Sequence, residues 1–314
     1  MNRSVIPEVA ILLCTYNGQQ YLSAQLDSVA SQAYPHWFMW VSDDGSQDDT
    51  LSILAEYRSK WPNECLSIVH GPRKGFVANF LSLSCRPDIQ ADYYAFCDQD
   101  DIWEANKLQK AVDWLQTVPA DVPALYCSRT RLVDADNHGI GFSPLFEKPP
   151  CFAHALTQNI ASGNTMVFNH AACSLLREAG QAVAVVAHDW WLYLLVTGVG
   201  GNAFYDVAPI LRYRQHGGNL VGMKTHWLAR LLRLRTLREV WQGAFRAGNN
   251  RQLQALQQMR AKLTPENRVI LDGFMQARNR WVLPRLFGFW QTGIYREPLW
   301  SHLGLITAAL FKKI

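Results

Sequence analysis

Three short apolar runs, each stopped by a polar cluster, constrain the fold of this chain more than any other feature. Val9-Ala10-Ile11-Leu12-Leu13-Cys14 ends at Thr15-Tyr16-Asn17-Gly18, and Trp37-Phe38-Met39-Trp40-Val41-Ser42 ends at Asp43-Asp44-Gly45-Ser46. Tyr93-Tyr94-Ala95-Phe96-Cys97 runs straight into Asp98-Gln99-Asp100-Asp101. A run that is apolar at successive positions suits a strand buried on both faces of a parallel sheet. Between the runs, Tyr21 to Val29 has helical spacing, Asp48-Asp49-Thr50 precedes a second helical pattern with Leu51, Leu54 and Tyr57, and Leu66 to His70 reads as another strand. This alternation predicts a doubly wound α/β sheet with its functional loops at the carboxyl ends of the strands. Beyond residue 124 the alternation loosens; Ala124 to Cys127 and Asn164 to Phe168 read as further strands, and from Lys224 the pattern is helical and basic.

Composition narrows the function classes. With 49% hydrophobic and 18% charged residues, the chain is neither disordered nor fibrous. Its seven cysteines are scattered without a CxxC pair, unlike a disulfide framework or a zinc ribbon. The N-terminus lacks the apolar stretch of a signal peptide, and no run of about 18 apolar residues occurs, so the expected setting is cytoplasmic. Charge is sharply divided: residues 1–223 hold 14 Lys and Arg against 22 Asp and Glu, whereas residues 224–314 hold 16 against 4. Such polarity predicts an anionic surface as partner for the basic part.

The acidic clusters carry the candidate chemistry. Three carboxylates in Asp98-Gln99-Asp100-Asp101 repel one another unless a cation or water lies among them. A hard divalent ion that also holds a diphosphate is a natural occupant; capping of a helix starting at Ile102-Trp103 is the bland alternative. Aspartates of the 43–50 cluster can accept hydrogen bonds from a nucleobase or ribose, or simply form a turn and an N-cap. His188-Asp189-Trp190-Trp191 offers a carboxylate between an imidazole and two indoles, and Tyr213-Arg214-Gln215-His216 offers a metal-competent imidazole before a glycine pair. Ser162-Gly163-Asn164-Thr165 reads either as the acceptor side of a site or as a turn before a strand.

These clusters, in this order, resemble a family 2 glycosyltransferase of the GT-A fold. The matching pieces are the strand ending in Cys14-Thr15-Tyr16-Asn17-Gly18, Gln25 to Val29 with Gln32, Asp43 to Thr50, and Asp98 to Trp103. The resemblance implies an α/β, Rossmann-like domain with a mixed sheet that binds a nucleoside-diphosphate sugar, plus a helical C-terminal extension. It divides the chain into a nucleotide-sugar half (1–124), an acceptor-binding and catalytic half (125–223) and the extension (224–314). It implies inverting sugar transfer, with Thr15, Tyr16, Asn17, Asp43, Asp44, Asn79 and Asp98 at the nucleotide. Asp100 and His216 would hold Mn²⁺ or Mg²⁺, Asp189 would be the general base, and Trp103, Trp190 and Trp191 would contact sugar or acceptor. Where the family has Ala-Arg-Asn this chain has Val77-Ala78-Asn79, so a basic contact is missing there, with Arg73 or Lys74 as replacements.

The details His-Asp-Trp-Trp and Tyr-Arg-Gln-His resemble the rhamnosyltransferase-like branch of surface polysaccharide synthesis, O-antigen included. That implies dTDP-L-rhamnose as first donor, UDP-hexose or UDP-N-acetylhexosamine as alternatives, and a glycan or lipid-linked acceptor. From another class, a non-catalytic membrane recruiting partner should lack Asp100 or Asp189, and both are present. In residues 224–246, Trp227, Leu228, Leu231, Leu234 and Trp241 trace an apolar face beside Arg230, Arg233, Arg235 and Arg238, and Leu299 to Lys313 reads similarly. Basic amphipathic helices of this kind lie on anionic bilayers, so the expectation is peripheral association with the inner face of the cell membrane. No recognition motif supports nucleic-acid binding.

Overall fold

The computed structural model describes residues 6–62, 65–216 and 244–314. The first half alternates as expected: β1 (Val9–Thr15), α1 (Leu22–Ala30), β2 (Trp37–Asp43), α2 (Thr50–Lys60), β3 (Leu66–His70), α3 (Phe76–Ser84) and β4 (Tyr93–Cys97). Then come β5 (Ile102–Trp103), α4 (Lys107–Leu115), β6 (Ala124–Ser128), β7 (Arg131–Val133), β8 (Gly139–Phe142) and α5 (Phe152–Ala155). After a 3₁₀ turn at Gly163–Thr165 follow β9 (Val167–Asn169), α6 (His170–Ala179), α7 (His188–Gly198), β10 (Asn202–Asp206) and β11 (Leu211–Arg214). The C-terminal helices are α8 (Ala244–Gln258), α9 (Pro265–Asn279), α10 (Val282–Gln291) and α11 (Leu299–Leu310). The arginine-rich segment expected to be amphipathic lies, up to residue 243, outside the described residues.

A seven-stranded sheet with order β10-β6-β9-β4-β1-β2-β3 forms the centre, and β5-β11-β7-β8 form a small second sheet. The central sheet is mixed: β9 runs antiparallel to both its neighbours, β4 and β6, while the other pairs are parallel. Strand β1 is buried at every position because its alternate side chains feed two cores. Val9, Ile11 and Leu13 meet Leu22, Leu26 and Val29 of α1 and Leu108 and Val112 of α4. Ala10 and Leu12 face a larger core with Phe80, Phe96, Phe168 and Trp191. That core continues through Leu253, Leu256, Leu271, Phe274 and Phe289, so the C-terminal helices bury one side on the sheet's larger core.

Register places the loops. Thr15 pairs with Asp43 and Leu13 with Cys97, so the three polar clusters leave one edge of the sheet together. One local expectation fails: Ile102-Trp103 does not open a helix but pairs antiparallel with Leu211-Arg212 of β11. The helix starts only at Lys107. This pairing carries the segment after β11 to the Asp98–Asp101 loop.

Candidate active site

The loops are laced together by side chain to backbone bonds. Asn17 has φ 48°, a left-handed turn conformation that Asn tolerates better than most residues. Its N–H donates to Ser46 Oγ (2.9 Å), and its Oδ1 accepts from the N–H of Gln47 (2.8 Å). Gly18 N–H donates to Thr50 Oγ1 at 2.8 Å. Gln99 clamps the third loop to the first, accepting from Tyr16 N–H (2.8 Å) and donating to Tyr16 O (3.0 Å). Gln99 was not singled out in the sequence, because charge drew the reading to its neighbours.

Several expected nucleotide contacts point inward instead. Asp43 accepts from Thr15 Oγ1 (2.9 Å), Ser46 Oγ (2.5 Å) and the backbone N–H of Gly45 and Ser46 (3.1 and 2.9 Å). Both oxygens are thus engaged within a buried turn, and Thr15 and Asp43 shape the loop rather than face a ligand. Asn79 is also buried; it donates to Ser42 O (2.8 Å) and accepts from Ser42 Oγ (2.6 Å). Asp44 accepts from the N–H of Arg73 (2.6 Å) and of Gly75 (2.8 Å), holding the 73–75 loop closed over the end of β2. The Arg73 side chain lies over Gly45, whose added Cβ would stand 3.1 Å from Nε. Tyr16 is exposed.

Asp100 and His216 do meet. His216 Nε2 and Asp100 Oδ2 lie 2.8 Å apart, with side chains 18% and 19% exposed. Arg214 fixes this approach, since its Nε donates to Asp100 O (3.0 Å) and its N–H to Asp101 Oδ1 (3.2 Å). Ligand atoms on one octahedral ion at about 2.1 Å stand roughly 3 Å apart, so this oxygen and nitrogen fit the same small divalent cation. Both border a cavity of about 510 Å³ also lined by Asn17, Tyr21 and Gln99. A different trio, Asp134, Asp136 and His138, clusters on an exposed turn, where Asp134 Oδ1 accepts the N–H of Asp136 and His138.

The carboxylate expected as base sits at the start of α7. Asp189 Oδ2 accepts from Gly163 N–H (3.0 Å) and Oδ1 from Trp190 N–H (2.6 Å). Burial raises its pKa, while the Trp190 and Gly163 amides and the Asn159 side chain restrain the rise. Burial, with the charges of Asp100 and Asp189, pushes Asp98 up to about 7. The carboxylate at the end of β4 thus feels the charge of the one at the start of α7.

A buried network joins the 3₁₀ turn at Gly163–Thr165, which the sequence offers either as the acceptor side of a site or as a turn before a strand, to the Asp98–Asp101 loop. Asn164 Nδ2 donates to Asp101 Oδ2 (2.6 Å), and Asn164 O accepts from Lys107 Nζ (2.5 Å). Lys107 Nζ stands 3.4 Å from the Trp103 ring centroid, and burial pushes this ammonium down to about 7 against the charges of Cys97, Asp101 and Asp98. Burial likewise holds Asp101 well above the usual carboxylate range, reinforced by Asp100 and Asp98.

The tryptophan expectations need correction. Trp103 is 2% exposed and Trp191 0%, so neither ring can stack on a sugar; both fill the core. Trp190 is partly exposed, with its Nε1 donating to Ala155 O at 2.7 Å.

His188, beside Asp189, is buried in an aromatic cage. Its ring stacks on Phe80 (4.0 Å, 15°) and meets Phe96 edge-on (4.6 Å, 88°). Neither ring nitrogen has a hydrogen-bond partner among the described residues, and burial pushes the imidazole down to about 3. Unfolded His titrates near 6.5, so between that value and about 3 the unfolded chain binds a proton that the native site refuses. This contribution to stability is complete above about pH 6.5 and declines as pH falls, by about 2 kcal/mol at pH 5. His188→Phe should keep the fold and lose that decline; urea melts of both proteins at pH 7.5 and 5 measure it, and equal pH dependence would refute the assignment.

Residues 10–178 match the family model for glycosyl transferase family 2. The chain is 30% identical over 240 residues to the dTDP-rhamnosyl transferase RfbG of Shigella flexneri, covering 73% of this chain and 80% of that one. Its fold is similar to that of Staphylococcus aureus TarS 1–349 in complex with UDP-GlcNAc, with TM-score 0.55 at 14% identity over 92% of this chain and 93% of that one. It is also similar to the Pyrobaculum calidifontis mannosyltransferase PcManGT in complex with GDP-Man and Mn²⁺, with TM-score 0.52 at 17% identity over 99% and 88% of the two chains.

Proposed function

Because this chain belongs to glycosyl transferase family 2, we propose that it moves a sugar, with inversion, from a nucleoside diphosphate to a hydroxyl of a glycan or lipid-linked acceptor in surface polysaccharide synthesis. The observation that carries this reading is the meeting of Asp100 and His216, 2.8 Å apart, at the border of the cavity where the Thr15, Asp43 and Asp98 loops leave the sheet. The donor assignment is dTDP-L-rhamnose, supported by similarity to a dTDP-rhamnosyl transferase over most of the chain.

In this reading Tyr16 flanks the base, Asp44 accepts a ring N–H through lone pairs left over from the 73–75 loop, and Asp98 lies near the ribose. Asp100 and His216 hold a divalent metal, which when bound neutralises the diphosphate leaving group. The nitrogen ligand favours Mn²⁺ over Mg²⁺. Asp189 takes the proton of the attacking hydroxyl; its raised pKa makes it a stronger base than a solvated carboxylate. The two backbone N–H bonds fix its oxygens. The basic residues 224–314 hold the enzyme on an anionic membrane surface where lipid-linked acceptors lie.

A thermal-shift panel of dTDP-rhamnose, UDP-glucose, UDP-N-acetylglucosamine and GDP-mannose, with Mn²⁺ or with chelator, tests the donor. The expected result is a Mn²⁺-dependent rise for dTDP-rhamnose above the others. A larger rise for a UDP-sugar would reassign the donor.

A further inference from the structure

Helices α10 and α11 expose what helices of this kind normally bury. In α10 the inward positions are Arg285, Gly288 and Phe289, whereas Leu283, Phe287 and Trp290, spaced i, i+4, i+7, face outward. In α11, Leu305, Ala308 and Ala309 are inside, and Leu299, Trp300, Leu303 and Leu310 are outside, followed by exposed Phe311. Trp290 is 76% and Trp300 77% exposed.

The orientation is enforced by packing. A Cβ at Gly288 would lie 2.6 Å from Ala277 Cβ, so α10 sits on α9 with this side inward. Arg285, itself buried, donates to the carbonyl oxygens of Ala309 and Arg280 and so ties α10 to α11. On the outward side the exposed Phe287 and Trp290 rings pack against each other, with centroids 5.7 Å apart. Exposed large apolar side chains gathered in this way on a folded protein mark a docking face.

Charge selects the occupant. From residue 273 to 314 the chain has six Lys and Arg and one acidic residue, Glu297; Arg278 and Arg285 are buried, and Arg280, Lys312 and Lys313 lie beside the exposed aromatics in sequence. Exposed Arg280 immediately precedes Trp281, itself exposed, and Lys312-Lys313 immediately follow Phe311. A second copy on this face would bring Arg280 and Lys312-Lys313 towards their own like charges. Tryptophan among basic residues is instead the composition of a bilayer interface, where indoles sit at headgroup level and cations meet anionic lipid. No described helix is long and apolar enough to cross a membrane, so contact lies in the interface plane.

We infer that the outward faces of α10 and α11 dock the protein on an anionic bilayer, with Phe287, Trp290, Trp300 and Phe311 as the inserted side chains. The inference rests on the membrane-surface reading above and assigns the contact to these aromatics rather than to the arginines of 224–246. Flotation of the full chain with phosphatidylcholine vesicles, with and without phosphatidylglycerol, tests it. Wild type should float with the anionic vesicles. Trp290→Ser/Trp300→Ser should lower the bound fraction roughly tenfold, with unchanged melting and an unchanged donor-induced thermal shift. Flotation of that variant equal to wild type, together with loss on replacing Arg230, Arg233, Arg235 and Arg238 by Ser, would overturn the assignment but keep membrane association. Wild type failing to float would overturn both. A wild-type dimer that the double Trp variant converts to monomer, without vesicle binding, would assign the face to a second copy instead.

Discussion

Asp189→Asn is expected to cut sugar transfer by about 10³-fold while the donor still binds, since general-base catalysis is typically worth 10²–10⁴. The substitution removes the charge and the basicity but not the shape. It has one local cost: an amide NH₂ must face either the Gly163 or the Trp190 N–H, both of which now donate to the carboxylate. That mismatch should lower stability by about 1–3 kcal/mol, so the melting temperature is measured beside turnover. The diagnostic pattern is a folded protein with the wild-type donor-induced thermal shift and almost no kcat. Turnover within tenfold of wild type would remove Asp189 from the role of base.

The other large effect is expected for Asp100→Ala. The Asp100 backbone carbonyl, not its side chain, accepts from Arg214 Nε, so the loop should keep its path after truncation. What is lost is the oxygen that meets His216 Nε2 at 2.8 Å. If these two atoms hold the metal, Mn²⁺ should no longer raise the melting temperature in the presence of donor, and transfer should fall by about 10²-fold or more at any Mn²⁺ concentration. Retention of a normal Mn²⁺-dependent shift would place the metal elsewhere.

The sheet was legible where burial on both faces left an unbroken apolar run, as in Val9 to Cys14 and Tyr93 to Cys97. The small second sheet was not. Its strands are two to four residues long, and Gly139–Phe142 is exposed throughout, so no period could register. The acidic clusters marked the correct sheet edge, because polar residues that stop a buried strand must emerge at its end. Direction at that edge was not readable. Asp43 and Asp44 are sequence neighbours, yet Asp43 turns into its own loop while Asp44 reaches across to residues 73 and 75. The tryptophans misled for a related reason. An indole beside an acidic motif suits a sugar face equally well as a core, and only packing against the sheet decides for Trp103 and Trp191.

The antiparallel strand β9 lies between β4 and β6, so a piece made after both of them is the seam of the sheet. A nascent chain released only to β6 has no partner for the inner edge of that strand, and the sheet closes once Val167–Asn169 has been made and inserted. The same seam governs recombination between relatives. A segment exchanged from residue 124 onward brings its own β9 against a foreign β4, so the incoming residues at positions 169, 168 and 167 must match Tyr93, Tyr94 and Ala95. Chimeras that carry β4 along with residues 124–206 should be the ones that fold.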